Sequence, residues 1–392
     1  MITREELREL ASFECRDDRE LAISFYFHPS TPQDKSHREE VILAKDLVSK
    51  TLRELQINDH SRHATEDLER ILRLAENLHG NSARAKAVFA CGARDVWQVF
   101  DLPPVASSST RLFVNRRFHL RPMAAVFSEY PRIWIALVDR QSARLLEIQF
   151  AQIREINEFT AALSRRGRSD GYAGYNAGHA ERHSEDEVRR HYQRAAEFLK
   201  QAVERHQFEG LVIGCHDVNW PEFESQLHPY VRKRLLGQFP ADLRSLTNDE
   251  AKTEADRIRR EVLQRHHQEL IQEALDGARS KGRGVTGLRR VLRAAELGEV
   301  ECIIMTPEYS ARAVECTNCG HVDSHMVSYC PACGRKTREL SDVCESLVPT
   351  AIRNNIGLVL VPPQEELDRV GNIAALLRFR SDRNTNELLA AS

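Results

Sequence analysis

A mixed α/β protein of three domains is predicted, on three observations. Apolar strand-like runs alternate with amphipathic helical stretches along the whole chain. At 392 residues the chain is too long for one ordinary core. Two Cys-x-x-Cys-Gly knuckles late in the chain specify a small metal-held ribbon. The pattern divides into residues 1–128, 129–247 and 248–392, with the ribbon at 314–336.

In the first domain, MITREELREL reads as an amphipathic helix start without the apolar core of a signal segment. Leu21 to Phe27 is an apolar strand, and two charged amphipathic helices follow at about 36–56 and 62–79. Lys86 to Cys91 is a second strand, ended by Gly92.

The second domain opens with Ile133 to Asp139, a near-continuous apolar run that marks a strand covered on both faces. A turn at Arg140-Gln141-Ser142-Ala143 leads to a strand from Arg144 to Gln149, then an extended or loop segment to about Thr160. Residues 164–183 are rich in Gly, Arg, Tyr and Ser and read as a loop. A helix is expected from about Ser184 to His206, its stripe formed by Val188, Tyr192, Ala195, Leu199 and Val203. Gly210 to Cys215 is a further buried strand, followed by a helix at 221–236.

The third domain follows a long charged helix at about 248–278. Gly277 to Gly287, glycine-rich and basic, reads as a loop. A helical stripe at Leu288, Val291, Leu292 and Ala295 stops at Gly298. Strands are expected at Val300 to Met305, Gly357 to Val361 and Ile373 to Phe379, with a helix at 341–354.

The knuckles are Cys316-Thr317-Asn318-Cys319-Gly320 and Cys330-Pro331-Ala332-Cys333-Gly334, ten residues apart. Each places two thiolates on one side of a tight turn whose trailing glycine supplies positive φ. Four thiolates close a tetrahedral site with no open position, so Cys316, Cys319, Cys330 and Cys333 are expected to hold one structural Zn²⁺. Binding energy on the order of 10 kcal/mol suffices to fold so short a segment. Redox Cys-x-x-Cys pairs sit singly at helix starts and fit less well. His321 and His325 are rival ligands read as solvent-facing loop residues.

The composition, 41% hydrophobic and 29% charged, argues against disorder, and no apolar run is long enough to span a membrane. The remaining cysteines, Cys15, Cys91, Cys215, Cys302 and Cys344, are scattered and odd in number, a reduced-compartment usage rather than a disulfide framework. A cytoplasmic, monomeric protein is expected. With a net charge of −2, any nucleic-acid contact must come from local patches.

The 164–183 loop is the strongest such patch. Arg165, Arg166 and Arg168 near its start, and Arg182, Arg189, Arg190 and Arg194 beyond, can contact phosphates. Tyr172 and Tyr175 can stack on bases, while Gly174 and Gly178 let the backbone approach closely. Asn176, His179 and His183 complete the set, with Arg190, Arg194 and His183 opposite the apolar stripe. A mobile, solvated surface loop is the alternative, since Asp170, Glu181, Glu185, Asp186 and Glu187 dilute the charge.

Catalytic signatures are sparse. His216-Asp217 follows a buried strand, where α/β folds place ligands, but lacks a nucleophile partner and reads as a loop or cap. Asp139 reads as a turn cap and His266-His267 as solvated positions on a charged helix. No phosphate-cradling glycine loop, His-Glu-x-x-His or Gly-x-Ser-x-Gly occurs.

The combination of Ile133-Trp134-Ile135-Ala136-Leu137-Val138-Asp139-Arg140-Gln141-Ser142-Ala143-Arg144-Leu145, the loop and helix from Gly174 to Tyr192, and the ribbon-bearing last domain resembles one family. It is that of the bacterial archaeo-eukaryotic release factors, relatives of class-I release factors, Pelota and Balon-type hibernation factors. The resemblance covers residues 132–385 fairly well and the first domain in outline. It implies three domains in a tRNA-like arrangement, with a last domain akin to kink-turn-binding ribosomal proteins. It further implies a factor in the ribosomal A site, contacting rRNA of both subunits and delivered by or facing a translational GTPase such as elongation factor Tu.

In true release factors a Gly-Gly-Gln tip enters the peptidyl-transferase centre and promotes peptidyl-tRNA hydrolysis. Gly174-Tyr175-Asn176 stands at the corresponding place. Tyrosine restricts the backbone that glycine frees, and asparagine reaches one methylene less far. Positional errors of ~1 Å cost ~100-fold in rate, so the resemblance implies ribosome hibernation or rescue without peptide release. The rival readings are a ribosomal peptidyl-tRNA hydrolase using Asn176, and an RNA-binding protein unconnected to translation.

Overall fold

The computed structural model describes residues 2–16, 20–28, 37–57, 62–77, 85–102, 109–149, 152–160, 175–205 and 207–381. In chain order the elements begin with α1 (Arg4–Ser12), β1 (Ala22–Phe27), α2 (His37–Ile57), α3 (Arg62–Asn77), β2 (Ala85–Cys91), β3 (Val96–Leu102), β4 (Arg111–Asn115) and α4 (Arg121–Glu129). Then come β5 (Ile133–Val138), β6 (Ser142–Gln149), β7 (Gln152–Thr160), α5 (Tyr175–Glu204), β8 (Gly210–Cys215), α6 (Trp220–Gln226), α7 (Pro229–Arg232), β9 (Leu235–Phe239) and α8 (Asn248–Arg279). The chain continues through β10 (Gly284–Thr286), α9 (Leu288–Glu296), β11 (Val300–Met305), β12 (Ala313–Cys316), β13 (Val322–Asp323) and β14 (Thr337–Leu340). It ends with α10 (Cys344–Arg353), β15 (Gly357–Leu360), α11 (Glu365–Asp368) and β16 (Ile373–Leu377).

These elements form a mixed α/β protein with several sheets. They fall into two compact units, one combining Met1–Ser128 with His267–Ser392, the other Glu129–His266. The first and last stretches of the chain therefore share a unit. Among the described residues no helix is long and apolar enough to cross a membrane.

In the Glu129–His266 unit the sheet order is β7-β6-β5-β8-β9, antiparallel on the β6 side of β5 and parallel on the β8 side. Central β5 is buried at every position, as its unbroken apolar run predicts. On one face Trp134, Ala136 and Val138 meet Val188, Tyr192, Ala195 and Leu199 of α5. On the other Ile133, Ile135 and Leu137 meet Ala251, Ala255 and Ile258 of α8. A Cβ at Gly214 of β8 would lie 2.6 Å from Leu137 Cδ2 and 2.7 Å from Phe239 Cζ, so any larger residue there would force these core side chains to shift.

Of its two readings, extended or loop, the segment to Thr160 takes the extended one, as strand β7 paired along its length with β6. Several expectations are corrected. The helix at 221–236 is two short helices, because Pro229 cannot continue α6 and begins α7, and Leu235 already enters β9. The Gly277–Gly287 run is not all loop: α8 extends to Arg279 and β10 starts at Gly284. His267 is buried at 7% exposure, since it stands four and seven residues before Ile271 and Ala274 on the stripe that α8 buries.

In the other unit the Met1–Ser128 stretch forms an antiparallel sheet, β3-β2-β1-β4. One face packs α2 and α3 through Ala44, Val48, Leu68 and Ile71. Helix α1 starts with a reciprocal cap: Glu6 N–H donates to Thr3 Oγ1 (3.2 Å) and Thr3 N–H to Glu6 Oε2 (2.7 Å). The His267–Ser392 stretch contributes sheet β10-β16-β11-β15, with Ile271, Ala274 and Leu275 of α8 against Ile304, Ala374 and Leu376.

After β4, His119 is 4% exposed. Its ring stacks on Phe113 at 3.7 Å with 12° between planes. Burial, aided by Arg121 and Arg111, pulls its pKa from 6.5 down to about 3. The folded chain thus excludes a proton that the unfolded chain takes up below pH 6.5. Stability should fall as pH drops from 6.5 toward 3, by about 3–5 kcal/mol at most. Urea unfolding near neutrality and near pH 4 checks this, and His119→Phe should flatten the slope. An unchanged slope would show that another group carries it.

Candidate functional site

Helix α5 begins earlier than the polarity of its first residues predicts. It starts at Tyr175, inside the loop expected at 164–183, rather than near Ser184. Ala177, Ala180, Glu181 and Arg182 are compatible with helix, and Gly178 alone costs about 1 kcal/mol relative to Ala. Tyr175, Asn176, Gly178, His179, Arg182 and His183 therefore lie in the first turns of α5. Arg165, Arg166, Arg168, Tyr172 and Gly174 lie outside the described residues.

Further along α5 the two faces separate. Val188, Tyr192, Ala195 and Leu199 are buried, whereas Arg189, Arg190 and Arg194 are exposed. Arg189 pairs with Asp186 at 3.3 Å. Arg190 and Arg194 have no ion-pair partner among the described residues, and their i,i+4 spacing puts two free guanidiniums on one outward strip.

At the strand ends of this sheet, Asp139 caps the β5–β6 turn, accepting from Gln141 N–H (2.7 Å) and Ser142 N–H (2.6 Å). The exposed His216 accepts the Val218 N–H at 3.4 Å through Nδ1, a turn role as expected. Under this turn His191 and Tyr192 are 2% and 0% exposed, and His191 Nε2 and the Tyr192 hydroxyl have no hydrogen-bond partner among the described residues. Burial lowers the His191 pKa, against the opposing pull of the Ser142 carbonyl, and raises those of Tyr192 and Cys215, the latter to about 12. These shifts keep the three side chains neutral near pH 7, and among the described residues none of them is hydrogen-bonded to another as a nucleophile–base pair.

The ribbon is built on β13-β12-β14. Its four cysteines converge so that the Sγ atoms of Cys316, Cys319, Cys330 and Cys333 all lie within 4.8 Å of one another. Cys316–Cys333 and Cys319–Cys330 are 3.4 and 3.6 Å apart. A tetrahedron with bonds of ~2.3 Å has edges of about 3.8 Å, so the donor set fits a tetrahedral thiophilic ion. Asn318 and Cys319 donate backbone N–H groups to Cys316 Sγ at 3.4 and 3.5 Å. The Cys319 N–H is the larger of the influences that hold the Cys316 thiol down to about 6. Gly320 and Gly334 take φ of 74° and 69° at the two knuckles. His321 is not solvent-facing as expected: its Nδ1 lies 2.8 Å from Glu296 Oε1 of α9. His325 is exposed and pairs with Asp323 at 3.1 Å.

Two arrangements carry no signal in the sequence. Glu315, next to Cys316 and 2% exposed, accepts from Arg117 Nη1 (2.7 Å), Arg338 Nη2 (2.5 Å) and Ser346 Oγ (3.1 Å). It ties β12 and β14 to the segment after β4. Cys15 and Cys91, 76 positions apart in sequence, are both buried and lie close enough to shift one another's thiol titration. Both join residues distant in sequence, which no local pattern reports.

Among solved structures, the chain is similar to an archaeal translation termination factor, aRF1, at 16% identity over 96% of this chain and 99% of that one, with a TM-score of 0.26. It is similar to ribosome-bound archaeal Pelota, solved with ABCE1, at 13% identity over 97% and 95%, with a TM-score of 0.42. S. cerevisiae Dom34, described as a translation termination-like factor interacting with Hbs1, matches at 10% identity over 77% and 81%, with a TM-score of 0.38. No curated protein matches. Residues 119–271, which include the whole five-stranded sheet and α5, match the family model of bacterial archaeo-eukaryotic release factor family 10.

Proposed function

We propose that the protein is a ribosome-associated translation factor of the release-factor and Pelota type that occupies the A site, in hibernation or in rescue of stalled ribosomes, without releasing peptide. The observation that carries this reading is the family match over residues 119–271, the stretch that bears the tip and α5. Gly174-Tyr175-Asn176 stands in place of Gly-Gly-Gln, and Tyr175 and Asn176 are already helical. A helical backbone gives up the freedom that a glycine pair retains, which argues against hydrolysis. Arg190 and Arg194 suit rRNA phosphates, and the helix start adds its positive dipole end. The last domain would face a translational GTPase such as elongation factor Tu.

The ribbon would hold one structural Zn²⁺ through Cys316, Cys319, Cys330 and Cys333. Bound there, zinc cross-links the two knuckles; with all four positions filled by thiolate it offers no site for substrate.

Cosedimentation with 70S ribosomes tests the function. The purified protein should pellet with ribosomes at low salt and dissociate as salt rises. Arg190→Glu with Arg194→Glu should weaken binding about tenfold or more. Absence of cosedimentation at low salt would sink the reading. Ribosomes carrying peptidyl-tRNA should retain their peptide; release that Asn176→Ala abolishes would replace this reading with the hydrolase.

A further inference from the structure

At the end of α5 remote from the tip, the Glu129–His266 unit contains a cavity of about 290 Å³. It is bounded by the start of β5, by β6 and β7, and by the last turns of α5. Ligand clefts run upward from ~300 Å³, so it can admit one compact polar molecule. Arg132, Arg154 and Arg205 line it, against one acidic side chain, Glu147. The lining thus carries three positive charges and one negative, an excess of two.

The acid does not compete for the open volume. Glu147 is 4% exposed, accepting from Trp134 Nε1 at 3.3 Å and from Arg154 Nε at 2.6 Å. It therefore anchors Arg154 through Nε and leaves the terminal guanidinium nitrogens available. Arg132 is held through Nη1 on the Gln207 carbonyl at 3.2 Å. The Arg205 guanidinium is exposed and has no partner among the described residues. A cluster that served only solvation would not need a buried carboxylate to position one of its members. Planar guanidiniums match the oxygens of a phosphate in paired hydrogen bonds.

The rest of the lining distinguishes a nucleotide from a bare anion. The half-buried Phe198 ring lies nearly parallel to Trp134, 6.2 Å away and 21° tilted, and Ile156 extends that wall at 36% exposure. A flat apolar wall beside fixed cations suits a base joined to a phosphate. The amide of Gln207, also in the lining, can meet a base edge as donor or acceptor, as can that of Gln201, whose Nε2 donates to Glu197 Oε1 at 3.4 Å.

We propose that this cavity binds a phosphorylated nucleoside, its phosphate on the three arginines and its base against Phe198 and Ile156. The nucleoside phosphate comes either free, as a mononucleotide, or as an unpaired nucleotide of RNA. The site does not depend on ribosome binding, and its test uses neither ribosomes nor the tip.

Equilibrium dialysis of the full chain at low salt, with the four nucleoside monophosphates, the matching nucleosides, inorganic phosphate and a short single-stranded RNA, tests it. At least one monophosphate should bind about tenfold or more tightly than its nucleoside and than inorganic phosphate. Arg205→Glu should weaken that binding about tenfold or more, while Arg205→Lys retains most of it and both keep the wild-type melting temperature. Phe198→Leu should weaken nucleotide binding and leave phosphate binding unchanged. An RNA that outcompetes the monophosphate identifies a strand as the source, and equal affinity identifies the free nucleotide. Failure of the monophosphates and the RNA alike to bind, or an Arg205→Glu variant that binds as wild type, overturns the proposal. Ribosome cosedimentation that survives such a failure leaves the translation-factor reading intact.

Discussion

Chelation of the Cys₄ centre, or Cys316→Ser with Cys330→Ser, should open the ribbon while the Glu129–His266 unit stays folded. The thiols stand 3.4 and 3.6 Å apart in pairs, a spacing that four uncoupled side chains on exposed turns have no reason to keep. Binding energy for a structural Zn²⁺ is on the order of 10 kcal/mol, comparable with the whole stability of a domain, ~5–15 kcal/mol. The rest of the ribbon is too small to compensate, since β13 is two residues long and β12 and β14 are four each. Elemental analysis should find one zinc per chain. Hydrogen exchange should show protection across 313–340 lost on chelation and protection in β5 and β8 retained. A chain that purifies without metal and keeps its exchange pattern after chelation would refute the zinc centre.

Glu315→Ala should destabilise the unit that contains it by about 3–5 kcal/mol, the usual cost of removing one partner from a buried ion pair. The carboxylate is 2% exposed and receives Arg117, Arg338 and Ser346 together. Without it, Arg117, whose side chain is only 11% exposed, keeps Glu14 at 2.9 Å but loses its buried counter-charge. Burial by itself would push the Glu315 pKa up, yet Arg117 and Arg338 together hold it below the ordinary carboxylate value. Arg117→Met with Glu315→Leu should recover much of the loss, because the more buried pair is then replaced by apolar groups, while Arg338, 24% exposed, keeps Glu14 at 3.4 Å. Urea unfolding of the single and double variants measures both effects; a single-variant loss below about 1 kcal/mol would show that the cluster is effectively solvated.

Where burial is read by one segment alone, the sequence was legible. The run Ile133 to Val138 announced a strand covered on both faces, and both covers are present in α5 and α8. The stripe Val188, Tyr192, Ala195, Leu199 named the buried face of α5, and by elimination put Arg190 and Arg194 outside. The cysteine spacing named all four members of the cluster. Strands β3 and β4 were missed because their half-buried positions dilute the apolar alternation. The early start of α5 was missed because glycine and polar residues there resemble a loop when only their local preferences are weighed.

Sequence by itself determined the α/β class, the strand cores, the knuckle geometry and the release-factor-like stretch, because each is written in neighbouring residues through a period, a run or a spacing. Tertiary structure alone decided that the first and last stretches share one compact unit, that His267 and Glu315 are buried, and that Arg132, Arg154 and Arg205 border a single cavity. A periodic pattern reports which face of an element leaves water; which distant segment covers that face, and so which charges it brings together, depends on long-range packing.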